Sequence, residues 1–154
     1  MLFLQFELGR ERYALDVRQV AEVLPLLAIT PIPQAPAAVA GVMNFRGAPV
    51  PVIDVSQLTL GRPAERRLST RIVLVYYPDA AGGTRLLGLI AERATRTMRR
   101  ELADFVPSGV TSEGAPYLGR VDADARGVPQ WIDVTTLLPP AVRDVLFNPP
   151  KAGG

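Results

Sequence analysis

Among its 154 residues the chain has no cysteine and no histidine. Without Cys there is no disulfide, no thiolate nucleophile and no thiol redox chemistry. Without His the usual zinc sites and the usual imidazole base are both missing. Carboxylate-only metal sites need clustered acids, and the Asp and Glu residues here are scattered. Lysine is nearly absent too: of 17 basic residues, 16 are Arg and the single Lys is Lys151. The formal charge is only +2, so the pI near 9.4 reflects the lack of a His buffer and carries little weight as a nucleic-acid signal. No apolar run approaches the ~20 residues of a membrane helix. Met1-Leu-Phe-Leu-Gln is too short and mixed for a signal peptide. The expectation is a cytoplasmic protein with no direct membrane insertion, no metal and no cofactor.

What the chain does have is punctuation. Fifteen Pro and 13 Gly fall mostly between short apolar runs, which argues against a helical bundle. FLQFELG alternates Leu4, Phe6 and Leu8 against Gln5 and Glu7, the period of a half-buried strand. YALDV alternates again, with Tyr13, Leu15 and Val17 inward and Asp16 outward. Val17, Val20, Val23 and Leu24 fit either a short helix or an irregular strand. ITPIPQAP is a proline-stiffened crossing. GVMNF and PVPVIDV read as two strands turning through Arg46-Gly47, with Pro49 and Pro51 placing the start of the second at an edge. SQLTLGRPAERR reads as a polar link. RIVLVYY and LLGLIAE are strands around the Gly-rich loop PDAAGGT. The Arg clusters at 66, 67 and 71 and at 93, 96, 99 and 100 read as loops or solvated faces. PPAVRDVLF opens with Pro and sets Val142, Val145 and Leu146 on one face of a short closing helix. Residues 148–154 read as a frayed tail.

An internal echo organises these pieces. RGAPVPVIDVSQL at 46–58 resembles RGVPQWIDVTTL at 126–137, so two halves with one strand order are offset by about 75 to 80 residues. Short strands at this spacing imply small antiparallel barrels, in which closure removes exposed edges. A chain of this length buries roughly 70% of its extended surface and needs no staple. The expected fold is therefore all-β, one domain over 1–150 built of two barrel lobes, near 15–65 and 70–139. The N-terminal strand and the C-terminal helix pack across them.

The same blocks carry a family likeness. FxLGxExYALDVxxVxEV, ITPIPQAPxxVxGVMNFRGxPVPVIDV, LLGLIAERA, YLGRV and WIDVTTLL, together spanning residues 2 to about 139, resemble the CheW-type chemotaxis coupling proteins. The resemblance implies two SH3-like five-stranded barrels flanking a shared hydrophobic core, and no catalytic activity. It implies an adaptor in a two-component signal-transduction pathway, bridging the regulatory domain of a CheA-type histidine kinase to the cytoplasmic tips of methyl-accepting chemoreceptors. Such a protein is cytoplasmic and joins membrane receptor arrays only through its partners. By resemblance Arg46 and Glu22 match two polar signalling positions, and Val20 matches an apolar position near the receptor groove. Gly41 and Asn44 fall in the signature just before the Arg. Ser56-Gln57 and Glu92 depart from the usual pattern, which points to a specialised chemosensory pathway.

Arg46 has three readings: a turn cap, one half of an ion pair with Glu22 on a partner-binding surface, or a phosphate ligand. No Gly-rich loop precedes a helix N-terminus there, which speaks against the third. Asp54 and Asp133 invite a paired-carboxylate hydrolase, but they hold matching places in the two repeats, as capping residues do. Val39, Val42, Phe45, Val110 and Leu118 are candidate apolar residues of the partner faces. Trp131 reads as core. A small-barrel single-stranded nucleic-acid binder is the main rival; it requires aromatics interleaved with Arg on one face, and that pattern is weak here.

Overall fold

The computed structural model describes residues 1–78, 82–99, 105–107, 118–122 and 130–147. Among these residues ten strands and two short helices succeed one another. The first half holds β1 (Leu2–Leu8), β2 (Glu11–Asp16), a 3-10 turn (Val17–Gln19), β3 (Val20–Pro25), β4 (Val39–Phe45), β5 (Ala48–Asp54) and α1 (Val55–Leu60). The second holds β6 (Arg71–Pro78), β7 (Thr84–Arg99), β8 (Phe105–Pro107), β9 (Leu118–Asp122), β10 (Gln130–Ile132), a 3-10 turn (Val134–Thr136) and α2 (Pro140–Phe147). Residues 123–129 and 148–154, and Val110, lie outside the described residues.

The expected pair of closed barrels is not what forms. The strands join into one ten-stranded, mostly antiparallel network, ordered β3-β6-β7-β1-β2-β10-β9-β8, with β5 also paired to β7 and β4 to β5. Among the described residues no ladder runs from β3 back to β4, or from β8 back to β7, so the sheet stays open. The cause is β7, which is 16 residues long and serves both halves. Its first part, from Thr84 to Ala91, pairs with β6, while Glu92 to Arg99 pairs with β1. An irregularity opposite Gln5 and Glu7, where Arg93 takes φ 52°, bends the strand between its two sheets. Arg93, Arg96 and Arg99 therefore belong to a strand rather than a loop, although their side chains are exposed as expected.

Strand parity then divides the apolar residues among three cores. On β6, Val73, Val75 and Tyr77 join the large central core, whereas Ile72 and Leu74 turn to the smaller core of the first half. On β5, Ile53 faces the central core and Val50 and Val52 the smaller one. On β1, Leu4, Phe6 and Leu8 enter the central core, while Phe3 meets Trp131 edge-on at 5.2 Å in a third cluster. Each fully buried Leu, Ile or Phe contributes roughly 1.5 to 3 kcal/mol. The central core, fed by both sheets and by Val142 of α2, holds the molecule together.

The sequence echo has a geometric counterpart. β5 runs parallel to β7 through Val52–Asp54, and β10 runs parallel to β2 at Gln130 and Trp131. In each case an Asp at the end of the parallel strand caps the next helical turn. Asp54 accepts from the Gln57 N–H at 3.1 Å at the start of α1, and Asp133 accepts from the Thr135 N–H at 2.9 Å.

Two local expectations need correction. The polar link after β5 begins as α1, started by Asp54 and ended by Gly61 in the left-handed conformation at φ 73°. Asp16 is buried, not outward: it accepts from the Arg18 backbone N–H at 2.9 Å and pairs with the Arg18 guanidinium at 2.7 Å. Val17 to Leu24 resolves into the 3-10 turn and then strand β3.

Candidate functional site

The β4–β5 hairpin turns in two residues. Arg46 at φ 51° and Gly47 at φ 85° both lie in the left-handed region, the twist that suits a tight hairpin. Gly accepts this conformation freely; Arg does not, and Asn44 compensates by accepting the Gly47 N–H on Oδ1 at 2.8 Å. Asn44, not Arg46, is thus the cap of the turn. A two-residue turn makes Phe45 and Ala48 a hydrogen-bonded pair. Alternation along the ladder then points the nitrogens of Pro49 and Pro51 away from β4. The β7 ladder begins only at Val52, so neither proline breaks a bond.

Relieved of turn-holding, the Arg46 side chain reaches back across the molecule. Its guanidinium lies over the Phe45 ring, 4.8 Å from the centroid, and its Nη2 is 3.2 Å from Glu22 Oε2. Glu22 is aimed there by a bulge in β3, where the pairing with β6 shifts between Val20 and Glu22. Arg46 keeps 76% of its side-chain exposure and Glu22 38%, so donors and acceptors remain for a partner. In water such a pair is worth only ~0.2 to 1 kcal/mol.

The pair stands on the seam between β3 and β4, where no described ladder closes the sheet. Lower down, Thr30 bridges the outer edge of β4 through two hydrogen bonds of 2.9 Å with Val42. Gly41 allows that approach: at its φ of 143°, a Cβ would sit 2.0 Å from the Thr30 carbonyl oxygen. Val42 is half-buried beside this bridge. Val20 does not line the Arg46 surface; it packs against the central core.

Around Arg46 and Glu22 lies a shallow depression of about 340 Å³, whose far wall is Tyr76, Arg85 and Leu86. Sequence reading misses these three. Tyr76, 48% exposed, belongs to an apolar run buried on both faces, and only its parity against Val75 and Tyr77 betrays it. Phe45 is half-buried against the smaller core and Val39 is buried, so neither offers a flat apolar face.

The two carboxylates do not make a hydrolytic pair. Asp54 is buried and also accepts the Ala64 N–H at 2.9 Å, while Asp133 is exposed and takes the Thr135 hydroxyl at 2.7 Å. Neither lines the Arg46 depression. Among the described residues no group of three or more acids is placed to hold a metal, and no helix is long and apolar enough to cross a membrane. Of the described aromatic side chains only Tyr76 is exposed, so the stacking face of a single-strand binder is not assembled there.

These features define an all-β protein that presents shaped surface: two sheets sharing one long strand, with a charged latch at an open seam. The chain belongs to the CheW-like domain family, which it matches over residues 2–140. It is 30% identical over 106 residues to the chemotaxis protein CheW of Helicobacter pylori, covering 68% of this chain and 61% of that protein. It is 29% identical over 123 residues to protein FrzA of Myxococcus xanthus, covering 79% and 74%. The chain thus spans less than two thirds of the Helicobacter pylori relative's length. The crystal structure of the scaffolding protein TtCheW from Thermoanaerobacter tengcongensis has the same fold, with a TM-score of 0.76 and 24% identity over 90% of this chain and 87% of that one.

Proposed function

We propose that the chain is a noncatalytic adaptor coupling the cytoplasmic tips of chemoreceptors to the regulatory domain of a CheA-type histidine kinase. Membership of the CheW-like family across 2–140 carries this reading, and the chemotaxis names of its relatives support it. The mechanism is geometric: the adaptor holds kinase regulatory domains against receptor tips, so that a change in receptor state alters kinase activity. It works in the cytoplasm and reaches the receptor array through its partners. Residues 1–150 act as one CheW-like unit made of two pseudo-repeated halves near 15–65 and 70–139.

In this reading Arg46 and Glu22 form the polar centre of one partner face. An Arg fork held on one side by Glu22 and packed on Phe45 keeps donors free in a fixed plane, which favours selectivity over raw affinity. Val42 contributes apolar surface beside it, and the part of Val20 left outside the central core is offered to the receptor tip away from that centre. Gly41 and Asn44 act by shaping the hairpin that carries Arg46. The test is a pull-down of the full chain against the purified regulatory domain and receptor-tip fragment of one chemosensory system. Capture of both is expected; a folded chain that retains neither would sink the reading.

A further inference from the structure

A second depression, sharing no residue with the Arg46 surface, opens between the β1–β2 turn and the segment after α1. Four arginines and three glutamates line it, and the pairing among them is uneven. Glu7 is taken by Arg93 at 3.3 Å, and Glu65 by Arg67. Glu92 accepts the Ser56 hydroxyl at 3.3 Å and the Glu65 N–H at 3.0 Å. Every carboxylate is therefore engaged. Arg10 and Arg62 are exposed and have no carboxylate partner among the described residues, and neither has Arg66 on the adjoining loop.

The loop beside these arginines is closed on itself by hydrogen bonds. Buried Thr70 donates its hydroxyl to the Glu65 carbonyl, accepts the Arg67 N–H at 3.2 Å and returns its own N–H to the Arg67 carbonyl at 3.0 Å. The bonded frame leaves Leu68 at the tip, 95% exposed. Leu60, 41% exposed, stands across Gly9 near the Arg62 guanidinium. Burying a Leu is worth roughly 1.5 to 3 kcal/mol, so a hydrogen-bonded loop that holds one in water points to a surface covered by something else.

We propose that this cleft is a docking surface for an acidic protein segment, whose carboxylates seat on Arg10 and Arg62 while an apolar side chain packs on Leu68. Charge complementarity names the sign of the occupant, because the cleft's own acids are spent and two guanidinium forks are not. Leu68 and Leu60 favour protein over nucleic acid, since no aromatic lines the cleft to stack a base. The surface is independent of the adaptor reading above.

Fluorescence anisotropy of the full chain with a labelled peptide of Glu, Asp and Leu tests this, beside the same peptide with Leu replaced by Ser and a labelled oligouridine RNA. The acidic Leu peptide binds saturably and loses affinity with added salt. Arg10→Glu with Arg62→Glu weakens it about tenfold or more, as does the milder pair Arg10→Gln with Arg62→Gln to a smaller degree. Leu68→Ser also weakens it, and Arg46→Glu leaves it unchanged. Absence of saturable binding overturns the proposal. So do equal binding of the Ser peptide, indifference to the arginine pairs, and tighter binding of the RNA.

Discussion

Arg46 and Glu22 are 24 residues apart in sequence and 3.2 Å apart at their charged ends, on opposite sides of a seam that no described strand pairing closes. Three irregularities meet there: a left-handed Arg in a two-residue turn, a bulge that re-aims Glu22, and an Asn that takes over the turn's hydrogen bonding. The turn cap frees the guanidinium, and the bulge supplies the carboxylate. Conformational cost at a non-glycine left-handed position is of order 1 kcal/mol or more. The exposed pair returns only part of that, which is consistent with a surface shaped for recognition.

Arg46→Glu is expected to leave folding nearly intact and abolish coupling. The lost pair and the new like charges together change unfolding free energy by about 1 kcal/mol or less, read by urea denaturation. Capture of the kinase regulatory domain or of the receptor tip should fall about tenfold or more. A variant that keeps full capture would assign Arg46 a purely local role; one that fails to fold would make it structural.

Gly41→Ala should behave in the opposite way. The new Cβ meets backbone, the Thr30 carbonyl, and cannot be relieved by turning a side chain. The Thr30–Val42 bridge must open, with a loss of about 2 to 4 kcal/mol. Denaturation and hydrogen exchange at the Val42 amide read this directly, and any fall in coupling should track the loss of folded protein. Unchanged stability would contradict the close approach.

Asp54→Ala removes both acceptors of a buried cap, orphaning the Gln57 and Ala64 N–H groups, and should cost about 1 to 3 kcal/mol. Asp133→Ala acts at an exposed site and should cost about 1 kcal/mol. The doubly substituted Asn protein is expected to retain coupling with a lowered Tm. Loss of coupling at unchanged Tm would show that these carboxylates do more than cap.

How much of this is readable in the residues depends on what each pattern reports. Period-2 alternation reports one buried face, so β1 is plain from Leu4, Phe6 and Leu8. RIVLVYY is buried on both faces, which erases the alternation and hides the exposure of Tyr76. Alternation says nothing about edges, and so the inference of closed barrels overreaches; the open seam depends on how β7 bends at Arg93. α1 is legible in principle from Asp54 and Gly61 at its two ends, but six residues are too few for helical periodicity to stand out. The Arg46–Glu22 pair is anticipated from family likeness, while Tyr76, Arg85 and Leu86 meet it only through the curl of the sheet. Asp16 is easily misplaced because a buried acid looks like an exposed one until its Arg is seen two residues on.

That buried acid sets a pH dependence with a definite sign. Burial pulls the Asp16 carboxyl upward, but the hydrogen bonds and charge of Arg18 outweigh it and leave the group below its ordinary value of 3.8. A carboxyl with a depressed native pKa binds more protons unfolded than folded as pH drops through that range. Its stabilising contribution is therefore complete above the unfolded value and is lost as pH falls through the native one. Acid unfolding of the wild type should steepen below about pH 4. In Asp16→Asn that component of the slope should vanish, with a lower plateau at neutral pH because Arg18 loses its partner and the Arg18 N–H its charged acceptor. Parallel acid-unfolding curves for the two proteins would show that Asp16 is not held in its charged form by the fold.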